Sequence, residues 1–418
     1  MTQSVFTFVT KVNPERVQDL EIVLHEIAGN LTNHPDLPFT ALAQLHFASL
    51  VIFHDDHYGP YLVFENNVDG TPEAHLEQLC RIASKGLHRI YAHCLGYDAQ
   101  GAKDCDGIRA YLQKHLVRPN AYHIGNTGRS AEKIRQESAL RDGIEVHLDE
   151  LVAAASGAPS AGVIRRKIQD FVRALPGSEW ATSCEPRMTV LGRFLPSVSL
   201  AELALAALLF LPVLLPAVIV FVLVLRQREN SDPVETVVFD REQIQRLASA
   251  EDHIVQNHMA SLCYVKPGSF RRTTLKLVLY LTNLVARVST NGKLSGLDSL
   301  HFAHWALIDD GRRLLFLTNY DGSWENYLDD FIDKAALGLT GIWSNTLNFP
   351  RTRFLVLGGA RDEKRFKAIA RKTQAYTNVW YSAYPNLTVK GIDNNSAIRE
   401  DLYRSLGPAE TKRWLQRF

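Results

Sequence analysis

No block of Lys and Arg marks this sequence, and no two cysteines stand in a CxxC spacing. The 46 basic residues are balanced by 45 acidic ones, a formal net charge of +1. Phosphate recognition needs clustered positive charge, so nucleic acid is excluded as the expected partner. Five cysteines, an odd number without zinc-ribbon spacing, exclude a disulfide scaffold. A Walker loop, G-x-S-x-G, H-E-x-x-H and a dinucleotide fingerprint are all missing, which removes the commonest signatures of enzyme chemistry. The opening MTQSVFTFVT has no charged-then-apolar leader, so about the first 195 residues are expected to stay in the cytosol. What is present is a folding composition, 46% hydrophobic and 22% charged over 418 residues, enough for roughly two to three domains.

One apolar run stands out. Leu203–Leu225 is 23 residues without a charge, and about 20 such residues suffice for a helix to cross a bilayer. A hydrophobic membrane helix or hairpin is therefore expected over 195–228. Pro212 and Pro216 interrupt the run, leaving a kinked single span or a re-entrant hairpin open. The hairpin keeps both halves of the chain on the cytoplasmic side. Upstream, Val163–Arg173 alternates apolar and basic residues at helical spacing, which suits an anionic membrane surface or an ordinary packed helix.

The chain also matches itself. At an offset of 255, Leu45-His46-Phe47-Ala48 falls on Leu300-His301-Phe302-Ala303. After a three-residue deletion, Asn67-Val68-Asp69-Gly70 falls on Asn319-Tyr320-Asp321-Gly322. At offset 258, Asn120 meets Asn378, and Ser138-Ala139-Leu140-Arg141 meets Ser396-Ala397-Ile398-Arg399. Ordered matches of this kind indicate duplication. Apolar periodicity gives both copies one element order: a strand, a helix, a hairpin over Leu45–Glu65 or Leu300–Thr318, a second helix, and fourth strands at Ile90–Cys94 and Phe354–Leu357. The expected fold is α+β: two ferredoxin-like βαββαβ modules, 1–150 and 256–418, interrupted by the membrane segment, with linkers at 151–194 (amphipathic) and 229–255. The bare sheet face of each module needs a cover, and the sister module is the nearest one.

Tandem modules of this order resemble the dimeric α+β-barrel superfamily, in which two sheets enclose a ligand. Within it, dye-decolourising peroxidases carry G-x-x-D-G after the third strand, with the Asp acting on peroxide. The Asp-Gly pairs Asp69-Gly70 and Asp321-Gly322 occupy that place, while Asn66 and Thr318 stand where the family has its first Gly. The resemblance implies haem as a cofactor.

His46 and His301 recur at the start of the second strand, and imidazole is a common haem ligand and general base. The bland alternative is a packed, carbonyl-bonded histidine. Asp69 and Asp321 are either cleft carboxylates or helix caps. The catalytic candidates are His301 and Asp321, and the cofactor-binding candidates are His46, His301 and Asp69. No metal site is expected: His54-Asp55-Asp56-His57 has ligand-type residues but reads as a solvated turn. The second module is richer in Trp and Tyr, so its pocket is expected to be the better furnished. Two functions follow as expectations. One is a membrane-attached, haem-dependent, peroxidase-like oxidoreductase acting on a hydrophobic or lipid-derived substrate. The other is a non-catalytic ligand-binding or scaffold protein anchored to membrane lipid, taking a small hydrophobic ligand.

Overall fold

The computed structural model describes residues 2–98, 105–154, 159–182, 200–232, 240–288 and 296–418, with backbone alone for 200–214 and 287–288. The first module runs β1 (Gln3–Lys11), α1 (Val17–Ala28), β2 (Leu45–Phe53), β3 (Tyr61–Asp69), α2 (Pro72–Tyr91), α3 (Cys105–Lys114), β4 (Leu116–Val117) and β5 (Ala121–Ile124). Helices α4 (Ala131–Ala153), α5 (Ala161–Ala174), α6 (Glu179–Thr182), α7 (Leu200–Ser231) and α8 (Arg241–Ala248) lead to the second module. That module repeats the order as β6 (Gln256–Tyr264), α9 (Ser269–Val288), β7 (Leu300–Ile308), β8 (Arg313–Asp321) and α10 (Trp324–Trp343). A small hairpin β9 (Thr352–Arg353) and β10 (Leu357–Gly358), α11 (Glu363–Thr373), β11 (Gln374–Ala375), β12 (Thr377–Ser382), α12 (Val389–Leu402) and α13 (Pro408–Leu415) complete it.

Each module forms an antiparallel sheet, ordered β12-β2-β3-β1-β4 and β11-β6-β8-β7-β5. The modules thus exchange a strand: β12 of the second pairs with β2 of the first, and β5 of the first pairs with β7 of the second. The repeated asparagines secure both exchanges. The Asn378 side-chain oxygen accepts from the Ile52 amide (2.9 Å), and the Asn120 oxygen accepts from Leu307 (2.8 Å). At the end of β5 the chain presses so close to β7 that a Cβ on Gly125 would sit 2.2 Å from the Leu300 carbonyl oxygen.

All nine residues of β2 and all nine of β3 are buried, because each sheet is covered twice. Helices α1, α2 and α3 close one face of the first sheet over Phe6, Phe8, Leu24, Phe64 and Leu79. The other face meets the second sheet, where Val51, Val63, Ala306, Leu315 and Leu317 form one cluster. Helices α4, α5, α12 and α13 pack as a separate bundle around Ile144, Ile168, Leu402 and Trp414. The duplication extends to detail: α2 and α10 both break helical geometry, at Ala83 and Ala335, and are capped by Thr71 and Ser323.

Several expectations need correction. The expected fourth strands do not form: Ile90 and Tyr91 end α2, Cys94 makes one isolated bridge to Val12, and Phe354 and Leu355 occupy the β9–β10 turn. Short segments later in the chain, β4 and β11, take the edges instead. Helix α5 is a packed helix: Arg165 is buried and donates to the carbonyls of Asp401, Leu402 and Arg404. The expected membrane segment 195–228 is the largest correction. Residues 195–199 lie outside the described set, and the rest belongs to one continuous helix, not a hairpin. Among the described residues no helix is long and apolar enough to cross a membrane. The end of α7 is instead engaged with the second module. Leu225 is buried, Phe221 lies against Phe270, and the buried Glu229 carboxylate accepts from Thr352 Oγ1 and the Phe354 and Leu355 amides. Asp232 then pairs with Lys266 and Arg271. Hydropathy alone does not register such docking. The expected membrane attachment, and the cytoplasmic placement built on it, fall with the span.

Candidate functional site

The strand pairing shifts register between Leu45 and Phe47 and again between Leu300 and Phe302, so His46 and His301 occupy equivalent bulges. A bulge redirects its side chain, and each imidazole here meets the aspartate ending the neighbouring strand. His46 Nε2 lies 3.1 Å from Asp69 Oδ1, and His301 Nε2 lies 2.7 Å from Asp321 Oδ1. The second oxygen of each carboxylate accepts a helix-terminal amide, Ala131 of α4 for Asp69 (2.9 Å) and Val389 of α12 for Asp321 (2.7 Å). Anions are favoured at helix N-termini, so each dyad ties a sheet bulge to the start of a helix. The four residues singled out by the repeat therefore come together as two matching dyads.

The dyads sit close to one pseudo-twofold centre. His46 packs on Phe302 (ring centroids 5.3 Å apart) and His301 on Phe47 (5.2 Å). Tyr384 lies between them, its hydroxyl 2.8 Å from His46 Nδ1 and its ring 6.0 Å from that of His301. Burial pushes the Tyr384 phenol well above its usual range, and the charges of Asp69 and Asp321 add to this. Here the symmetry breaks. At the 258 offset Tyr384 corresponds to Asn126, whose amide donates to Asp393 (3.0 Å). His301 Nδ1 is consequently buried without a hydrogen-bond partner.

Sequence reasoning missed a second polar centre between the sheets. Glu65 of β3 accepts from Ser49 Oγ (2.9 Å), Asn67 (3.0 Å) and Asn319 (3.3 Å), and its Oε2 lies 3.0 Å from His258 Nε2. His304 Nδ1 is 3.6 Å from its other oxygen. Burial alone would raise the Glu65 carboxyl, but the His258 hydrogen bond and the neighbouring imidazole charges outweigh it and hold the group at about 2. Burial lowers His304 to about 4, and neither of its ring nitrogens has a hydrogen-bond partner. Alternation along β3 places Glu65 opposite the helix-facing Phe64 and Asn66, a signal that becomes visible only once the other face is known to be covered.

A cleft of about 700 Å³ lies away from both centres, lined by His54, Glu242, Arg246, Lys372 and Tyr376 among others. The His54–His57 turn is only partly solvated. Asp55 accepts from Tyr264 Oη (2.7 Å) and from Arg313 (2.8 Å), a buried guanidinium held between the rings of Tyr58 and Tyr61. The aromatics of the second module, including Trp305, Phe316, Tyr320, Tyr327 and Trp343, stack on one another as core, not around an opening.

Haem does not fit the dyads. Both ring nitrogens of His46 are engaged, Asp321 holds His301 Nε2, and the one remaining nitrogen faces packed aromatic rings. Among the described residues no group of three or more His, Cys, Asp or Glu is placed to hold a metal ion. Compared with protein families, curated proteins and solved structures, the chain finds no match, so the assignment of function rests on its own geometry.

Proposed function

We propose that this is a non-catalytic binding protein, a single-chain pair of modules that takes its ligand in the 700 Å³ cleft beside the His54–Pro60 turn, α8 and α11. A cavity of that size suits a small ligand. The observation that carries the reading is the structural employment of the two repeated His–Asp dyads. Asp69 and Asp321 each hold a buried imidazole and the first turn of a helix, and both histidines are at most 1% exposed. A group so placed anchors the fold and meets no substrate.

The oxidoreductase reading keeps one specific support, the unpartnered His301 Nδ1. Haemin titration separates the two. The expected outcome is no Soret band and no peroxide turnover, with His46→Ala and His301→Ala both lowering the unfolding midpoint. A Soret band or turnover that His301→Ala abolishes while the fold survives would overturn the proposal.

A further inference from the structure

We propose that the chain forms a twofold dimer in which the projecting part of α7 from each copy lies along the exposed outer face of α9 in the other. Helix α7 is held by its own second module only toward its end, through Phe221, Leu225 and Glu229. Upstream of that contact Leu215–Val220 are apolar and exposed at every position, so the helix has left the body there with apolar side chains on all sides. Leu215, Val218, Ile219, Val220 and Leu223 are each 51–64% exposed. On α9, Leu277, Tyr280, Leu281, Leu284 and Val285 recur at three- and four-residue spacing, a stripe suited to packing, yet each is 48–64% exposed.

The duplication supplies a control for the second surface. Leu275 and Leu279 match Leu20 and Leu24 of α1 at the 255 offset, and all four are buried. On the outer face the first copy carries Ile22, His25, Glu26, Gly29 and Asn30, all exposed, so the module folds without an apolar stripe there. The stripe on α9 therefore serves something outside the module. Helix α7 is continuous and its docked end fixes its course, so Leu215–Val220 do not fold back onto their own α9. A second copy offers both what the stripe needs, an apolar helix, and what that helix needs, an apolar face. The ten side chains amount to roughly 1,000 Å² per copy, against about 800 Å² per partner in a standard interface. Reciprocal exchange about a twofold axis covers both surfaces in both copies and closes the assembly.

The test is sedimentation equilibrium of the full chain in detergent-free buffer, joined to cross-linking between chains. The expected result is twice the chain mass at micromolar concentration. Leu281→Glu with Leu284→Glu, and separately Val218→Glu with Leu223→Glu, should each raise the dissociation constant about 100-fold with the unfolding midpoint unchanged. Mixing chains that carry Ile219→Cys with chains that carry Tyr280→Cys should give a bismaleimide cross-link joining those two positions in different chains, a readout that does not need the glutamate variants to fold. A monomer at every concentration, a dimer that both glutamate variants leave intact, a cross-link confined to one chain, or uptake of monomers onto phosphatidylcholine vesicles would each overturn the proposal.

Discussion

Asp321 shows how a short motif conceals a long-range role. Its position beside Gly322 and ahead of α10 suggests a cap for that helix, but Ser323 performs that capping. Asp321 instead supplies an acceptor at the start of α12, whose own N-cap is Thr388: it takes the first amide, from Val389, 68 residues further along. No local pattern encodes such a partner, so the sequence identified the residue and not its task. His46 and His301 were legible for the same reason: both occur inside repeated apolar tetrapeptides, where a polar side chain needs an explanation. Glu65 was not, since its equivalent, Leu317, is apolar and the repeat hides it. The geometry predicts unequal costs. Asp321→Ala removes an acceptor for the first amide of α12 and a charged bond to a buried imidazole and should destabilise by about 2–4 kcal/mol. Ser323→Ala removes only a cap and should cost about 1 kcal/mol. Urea unfolding measures both, and equal costs would assign Asp321 no role beyond its bond to the helix.

At the level of elements, periodicity placed the starts of both hairpins, Leu45 for β2 and Leu300 for β7, where the strands begin, because the runs that follow are largely apolar. It failed at the fourth strands, where a short apolar run ends a helix in one module and forms a turn in the other. The exchange of β5 and β12 was beyond its reach altogether. The two sheets are copies, so an edge strand complements its own sheet and the sister sheet about equally, and pattern cannot choose between them. The repeated Asn120 and Asn378 are what the exchange left in the sequence. Each supplies one side-chain acceptor to a backbone amide of the sister module, and a bond of this kind contributes about 1 kcal/mol. Asn378→Ala should therefore speed hydrogen exchange at the Ile52 amide by about fivefold and leave Leu307 unchanged. Asn120→Ala should do the reverse. Loss of protection at both amides in either variant would mean that the two exchanged strands open as one unit.

The whole molecule is two sheets closed on a polar centre, and that centre makes its stability depend on pH. Glu65 comes from the first module, and His258 and His304 from the second. The Glu65 carboxyl lies at about 2 in the fold against an ordinary 4.5, so its contribution is complete above about 4.5 and is lost as pH falls toward 2. His304 acts in a higher window. Burial lowers it from 6.5 to about 4, so between those values the unfolded chain binds a proton that the folded chain refuses. His75, buried under the first sheet beside Asn66, is lowered to about 4 by burial in the same way. Both imidazoles therefore make stability fall as pH drops from about 6.5 to 4. Each contributes a slope of about 1.4 kcal/mol per pH unit in the middle of that window. His304→Phe removes one titrating group from the interface between the sheets, and His75→Phe removes one from inside a single module. Unfolding free energies measured in urea from pH 4.5 to 6 should show each variant with a shallower slope than the parent, by about 1.4 kcal/mol per pH unit. Only His304→Phe should also shift the pH at which the Glu65 carboxylate protonates, because only His304 lies beside it. An unchanged slope in His304→Phe would mean that this imidazole is protonated between the sheets already, and that the polar centre is an ion cluster, not a carboxylate flanked by a neutral ring.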